Sequence, residues 1–219
     1  MKKNKIIVLI IVLLFASCSK NEGLSEKIEV DHLYWGIDNN ILYISTNQDE
    51  KSMNMYMLPT FDEVQNDQYI EVGWQSEEDI CFCDKVIISC DSNHVIMPYT
   101  LYGWFQYFYC CKDITGLKYI DTSNVVNMGR MFYCCFELEK LDLSTFDTSN
   151  TTNFQSMFDG CNSLEYLDIS SFDTNSAIYI QSMFGNPNDY IKKISIDHFN
   201  LSNAIDIRDI SDLFDVHAF

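Results

Sequence analysis

Basic residues are scarce in this 219-residue chain: 14 Lys and Arg stand against 32 Asp and Glu, a formal net charge of −18. So negative a surface repels phosphate backbones and anionic headgroups, which removes nucleic acid and anionic lipid from the expected partners. Long apolar runs are lacking as well. The run at the N-terminus, Ile6–Phe15, ends well short of the about 20 residues that cross a hydrocarbon core, which argues against a permanent transmembrane anchor. Also missing are G-x-S-x-G, H-E-x-x-H and any Gly-rich phosphate loop, and the four histidines, His32, His94, His198 and His217, stand in unrelated contexts. The expectation is a protein that is not an enzyme and needs no cofactor.

What is present at the N-terminus reads as an export signal. Lys2, Lys3 and Lys5 precede the apolar run, and the small residues Ala16 and Ser17 stand directly before Cys18. The stretch LLFASC resembles the lipobox of bacterial lipoproteins, in which the cysteine is acylated and becomes the new first residue; Phe15 departs from the Leu usual at its place. On this reading residues 1–17 are a lipoprotein signal peptide, and 18–30 are the lipidated Cys18 with a polar tether. Removing the three lysines leaves 11 basic residues against 32 acidic ones, −21 on the mature chain. Eight cysteines follow Cys18, an even number that permits disulfides in an exported protein. Their connectivity is not readable, and an anaerobic habitat would leave them as buried thiols.

A fixed-period repeat is the strongest internal signal. LEKLDLSTFDTSNTTNFQSMFDGCNS from Leu138 and LEYLDISSFDTNSAIYIQSMFGNPND from Leu164 agree at a spacing of 26. Asp121, Thr122, Met131, Phe132 and Cys135 return as Asp147, Thr148, Met157, Phe158 and Cys161, and a worn copy from Ile191 keeps Ile194, Ile196, Phe199, Leu213 and Phe214. The spacing of Leu138, Leu141 and Leu143, repeated as Leu164, Leu167 and Ile169 and as Ile191, Ile194 and Ile196, predicts one short inward-facing strand per unit. Met128, Met131, Phe132 and their counterparts Phe154, Met157, Phe158 and Ile180, Met183, Phe184 predict a short helix with its apolar face inward, and Thr152 with Gln155 suggests a capping box. The expected fold class is therefore an α/β repeat solenoid, a leucine-rich-repeat-like right-handed stack of short parallel strands and short helices, preceded by a small β-rich capping module.

LDLSTFDTSNTTNFQSMFDGC at 141–161 and DTSNVVNMGRMFYCC at 121–135 resemble the repeat of the BspA-like leucine-rich repeat surface lipoproteins. The resemblance covers about half of the chain, from roughly residue 100 onward. HLYWGIDNNILYIS at 32–45 and KVIISC at 85–90 echo that family's upstream strands, and Ser19–Glu22 faintly resembles a surface-export signal. The resemblance implies a secreted or surface-attached bacterial protein, some members being linked with adhesion to host matrix or to other bacteria.

The region before the repeat reads as a β-rich N-terminal cap over 31–100, with a hairpin turned at Asp38-Asn39-Asn40 and further strands at Ile80–Cys83 and Val86–Cys90. Repeats of about 26 residues then occupy 101–198, and 199–219 form the worn last repeat and C-terminal cap. The aromatic run Tyr99, Tyr102, Trp104, Phe105, Tyr107, Phe108, Tyr109 fills the junction, with one or two tyrosines as candidate exposed anchors.

Two constellations carry a chemical alternative. The column Asp121, Asp147, Asp173, each followed by Thr, reads as turn-capping Asx residues, against a Ca²⁺ ladder. Cys81, Cys83, Cys90 and His94 are weak candidates for a Zn²⁺ site; their spacing fits ordinary strand cysteines or a disulfide better.

Together these features predict a bacterial cell-surface lipoprotein, secreted and lipid-anchored through acylated Cys18 to the outer membrane or cell surface. Its repeats would bind a protein or glycan partner on a host or bacterial surface. The candidate binding surface is Glu139, Lys140, Asp142, Glu165, Tyr166, Asp168, Lys192 and Lys193, which point outward between the buried strand positions. A structural coat lipoprotein without a specific ligand is the alternative, followed by a metal-binding protein or a cryptic hydrolase.

Overall fold

The computed structural model describes residues 28–47, 54–66, 72, 74, 81–91, 94–185, 194, 196 and 198–207. The expected signal peptide, Cys18, Lys192 and Lys193 lie outside the described residues, as does much of the expected C-terminal cap.

The N-terminal half is built of short strands. β2 (His32–Asp38) and β3 (Ile41–Ser45) form an antiparallel hairpin. Its turn is Asn39-Asn40, both left-handed at φ 51° and 59°, a conformation that Asn tolerates and that matches strand twist. β4 (Asn54–Met57) pairs antiparallel with β2, while β5 (Lys85–Ser89) and β7 (Asp113–Thr115) extend the sheet in parallel from β3, giving the order β4-β2-β3-β5-β7. Leu33, Trp35, Leu42, Ile44, Val86 and Ile88 alternate inward and are buried, as the period of two dictates. β1 (Ile28–Val30) and β6 (His94–Ile96) form a separate parallel pair. Of the expected strand Ile80–Cys83, Ile80 lies outside the described residues, and at the described Cys81–Cys83 no strand forms, Cys81 and Phe82 belonging to a helical turn.

The expected α/β repeat solenoid is not the fold of this chain. The protein is mostly small β-sheets with almost no helix; among the described residues the one α-helix is α1 (Phe61–Asn66), which precedes the repeat. Among the described residues from Thr100 onward, β7 and one 3-10 turn apart, the chain runs in turns, and the strand-like pairing of successive repeat segments is reduced to single parallel bridges, Thr100 with Asn127, Asn127 with Asn153, and Asn153 with Tyr179.

The expected helices fail at the backbone. Arg130, Ser156 and Ser182 sit at φ 53–54°, a left-handed conformation that no right-handed helix contains. Two sets of hydrogen bonds explain the arrangement. Met131, Tyr133 and Cys135 donate N–H to the carbonyl three residues earlier, whereas Met128, Arg130, Phe132 and Cys134 donate to Asn153, Gln155, Met157 and Asp159 of the next segment. A helix would hold all of these donors within one segment; here every second one reaches its neighbour. Thr152 likewise forms no capping box, since its N–H and hydroxyl both donate to Val126 O.

The expected strands are cut short by acidic turns. Asp142 accepts the Ser144 N–H at 3.2 Å and Asp168 accepts the Ser170 N–H at 3.0 Å, so the chain bends one residue after the position that would continue a ladder. Lys140 retains a single bridge to Asp113, at the edge of the five-stranded sheet.

The apolar columns nevertheless point inward. Met128, Met131 and Phe132, their counterparts Phe154, Met157 and Phe158, and Ile180, Met183 and Phe184 are all buried. Phe105, Phe132, Phe158 and Phe184 lie face to face at centroid separations of 5.6–5.9 Å. Burying such a ring contributes roughly 1.5–3 kcal/mol. The first of these rings reveals a further copy of the unit, because Leu101, Trp104, Phe105 and Phe108 take the places of Met128, Met131, Phe132 and Cys135. Trp74 joins this copy to the sheet, donating its indole N–H to Trp104 O at 2.7 Å and meeting the Trp104 ring edge-on at 5.4 Å.

Buried threonines also tie the segments together. Thr148 Oγ1 donates to Asp173 O at 2.9 Å and accepts the Asp173 N–H at 2.7 Å. Thr122 does the same with Asp147, and Thr174 with Asn200. The repeated Asp-Thr pair thus divides its work, the Asp closing a local turn and the Thr bonding to the neighbouring segment.

Candidate binding surface

Glu139, Lys140, Asp142, Glu165, Tyr166 and Asp168 are all exposed, while Leu138, Leu143, Leu164, Leu167 and Ile169 between them are buried. Tyr166 stands 62 % exposed, far more than a phenol held for packing would be. The two carboxylates are oriented by their own turns: Ser144 Oγ donates to Asp142 at 2.6 Å and Ser170 Oγ to Asp168 at 2.7 Å. The Ser144 hydroxyl and N–H stabilise the charged form and hold Asp142 below the ordinary carboxylate range, with nearby Lys118 adding to the effect. An open cleft of about 370 Å³ lies beside this row, lined in part by Lys118, Lys140, Leu141 and Asp142. Asp113 at its wall is paired with Lys85 at 2.9 Å.

The three aspartates of the expected column make Asx turns. Asp121 accepts the Ser123 N–H, Asp147 the Ser149 N–H and Asp173 the Asn175 N–H, at 2.8–3.1 Å. Hydrogen bonds from the Ser149 hydroxyl and N–H lower the pKa of Asp147. At the weak zinc candidates, Cys83 is buried, Cys90 Sγ donates to His94 O at 3.1 Å, and His94 Nδ1 stands 3.4 Å from the Asp91 carboxylate. Among the described residues no three His, Cys, Asp or Glu side chains converge to hold a metal.

Other cysteines act as core atoms. Cys135 Sγ donates to Phe105 O at 3.0 Å and Cys161 Sγ to Phe132 O at 3.2 Å, each in the space beside the stacked rings. Burial raises the pKa of both thiols and pushes Cys111 up to about 12. A thiol that ionises at 9.0 when unfolded and only near 12 when folded favours the native state fully below 9.0, and this support drains away as pH rises between the two values. Urea midpoints should therefore hold level near pH 8 and fall steadily above about 9, and thiol reagents should leave Cys111, Cys135 and Cys161 unlabelled until the protein is denatured.

A second exposed feature is partly hidden in the sequence. Of the aromatic run, Tyr102, Trp104, Phe105 and Phe108 are buried, but Tyr107 and Tyr109 are 40 % and 38 % exposed. They continue into Tyr133 and Phe136 of the next segment: Tyr107 meets Tyr133 edge-on at 5.6 Å, and Tyr109 stacks on Phe136 at 5.1 Å. The Tyr109 phenol is pushed up by lost solvation and by neighbouring Cys134, and the Tyr133 phenol by its hydrogen bond with Cys134, so both rings stay neutral at physiological pH. Extending the repeat register back by one unit, so that Tyr107 aligns with Cys134 and Gly160, would have placed this ledge outside.

The molecule is thus an acidic protein of repeated turn-built segments that displays a polar row and an aromatic ledge. Residues 103–216, just over half of the chain, match the family described as "Mycoplasma protein of unknown function, DUF285", and the protein belongs to that family. No curated protein and no solved structure matches the chain.

Proposed function

We propose that the protein is a bacterial cell-surface lipoprotein, tethered through acylated Cys18, whose polar row binds a protein or glycan partner on a host or bacterial surface. The observation that carries this reading is the row itself: six charged or aromatic side chains held outward by the burial of their neighbours, over two successive segments. Support for the tether comes from the charged start, the apolar run and the small residues before Cys18. No helix among the described residues is long and apolar enough to cross a membrane.

Surface display is tested by treating intact cells with protease: the protein should be lost, and survival of the intact chain would remove the basis for adhesion. The row is tested with Tyr166→Ala combined with Asp168→Asn, which keeps an oxygen for the Ser170 turn. Attachment to a purified partner should weaken about tenfold or more, with an unchanged melting temperature. Undiminished attachment would move the contact off this row.

A further inference from the structure

The ledge of Tyr107, Tyr109, Tyr133 and Phe136 lies on the turn segments and shares no residue with the polar row. We propose that it binds an Arg- or Lys-bearing segment of a protein partner, through contacts between the basic side chains and the exposed ring faces. This goes beyond the function proposed for the row, and either can fail without the other.

Backbone conformation provides the first argument. Tyr107 is held at φ 66° and Cys134 at φ 59°, in the places where the third segment has Gly160 at φ 80°. Glycine adopts that conformation without the steric penalty a side chain incurs, and Cys134 fills the equivalent place with a much smaller side chain, so the backbone there does not require a tyrosine. A bulky residue kept at such a position against a steric cost marks a candidate site of function. The strained residue is also the centre of the ledge, since the Tyr107 ring touches both Tyr133 at 5.6 Å and Tyr109 at 5.9 Å.

Exposure and charge then define the occupant. Tyr107, Tyr109 and Phe136 each leave 38–40 % of their surface open, forming a contiguous patch where isolated exposed aromatics would need no explanation. At one end the Arg130 guanidinium lies 5.3 Å from the Tyr133 ring centroid, within the range of cation–π attraction, so this patch already holds a basic side chain of its own. Glu137 adjoins Phe136 and is paired with Lys112 at 3.6 Å, while Asp159 is near enough to Tyr133 and Cys134 to raise both pKa values. With a formal net charge of −18 on the whole chain, a basic segment gains from the rings and from the surrounding field. A neutral sugar gains from the rings alone, and an anionic ligand is repelled.

The full chain can be titrated by calorimetry, at about 0.15 M salt to screen diffuse attraction, with an acetylated tetra-arginine peptide and, separately, with the uncharged sugar chitotetraose. The peptide should bind and the sugar should not. Tyr107→Gly removes the central ring and relieves the backbone, so it should weaken peptide binding about tenfold or more while the urea midpoint stays level or rises. Tyr109→Ala with Phe136→Ala should show the same loss of affinity. Absence of peptide binding overturns the proposal. Equal affinity in Tyr107→Gly also overturns it, by assigning the attraction to scattered carboxylates, and preferential binding of the sugar overturns it in favour of a glycan ledge.

Discussion

Replacing Gly116 by Ala is expected to destabilise the fold by about 3–5 kcal/mol, through a left-handed backbone and a steric overlap at one atom. Gly116 sits at φ 87° between β7 and the 3-10 turn Leu117–Tyr119, and a Cβ there would lie 2.0 Å from the carbonyl oxygen of Ile88 on β5. That oxygen belongs to backbone packed inside the five-stranded sheet, so it cannot swing aside as the end of a long side chain would. Gly160→Ala is the matched comparison: its φ is 80°, but the nearest atom to the added Cβ is Cys134 Cα at 3.1 Å. Since Tyr107 and Cys134 already carry side chains in the equivalent places, the cost at Gly160 should be only about 1–2 kcal/mol. Urea denaturation of the two variants measures the difference. Near-equal losses would show that backbone conformation alone, and no collision with the sheet, makes Gly116 necessary.

Thr148→Val should cost about 2–4 kcal/mol despite keeping the shape of the side chain. Thr148 is 1 % exposed, and its hydroxyl satisfies two backbone groups of Asp173, the N–H and the C=O. Valine fills the same space but leaves both partly buried groups without that partner, which costs more than the net worth of an ordinary hydrogen bond. Thr152→Val removes one bond from a half-buried hydroxyl that donates to Val126 O at 3.1 Å, and about 1 kcal/mol or less is expected there. Hydrogen exchange adds a local readout. The Asp173 amide should lose its protection in Thr148→Val, and unchanged protection would mean that another acceptor, or water, takes over the role of the threonine.

How much of this is readable in the residues depends on the distance over which each feature is decided. The Asn39-Asn40 turn, the Asx turns at Asp121, Asp147 and Asp173, and the inward Met and Phe columns are set within a few residues, and the sequence pattern predicts them. The expected helices are absent because burial at spacings of three and four is common to a helix and to a run of successive turns. What separates the two is whether the N–H groups of Arg130, Phe132 and Cys134 bond within the segment or to residues 25 positions away, and no local pattern carries that choice. The expected strands end at Asp142 and Asp168, where the same carboxylates that resemble outward strand residues terminate the extension by capping turns. At the candidate site the exposure of Glu139, Lys140, Asp142, Glu165, Tyr166 and Asp168 follows from alternation. The ledge does not, because an aromatic at a glycine position becomes visible only once the register is carried back to Tyr107.

The threonine ties have an evolutionary corollary. Each one joins residues 25 or 26 positions apart and reaches only the adjacent segment. Duplicating or losing a whole segment would recreate the same junction between the segments that remain, whereas losing part of a segment would leave a threonine without the neighbour it bonds. The gene can thus lengthen or shorten this part of the protein in whole-segment steps, and new ligand-facing surface can arise by copying a segment that already folds.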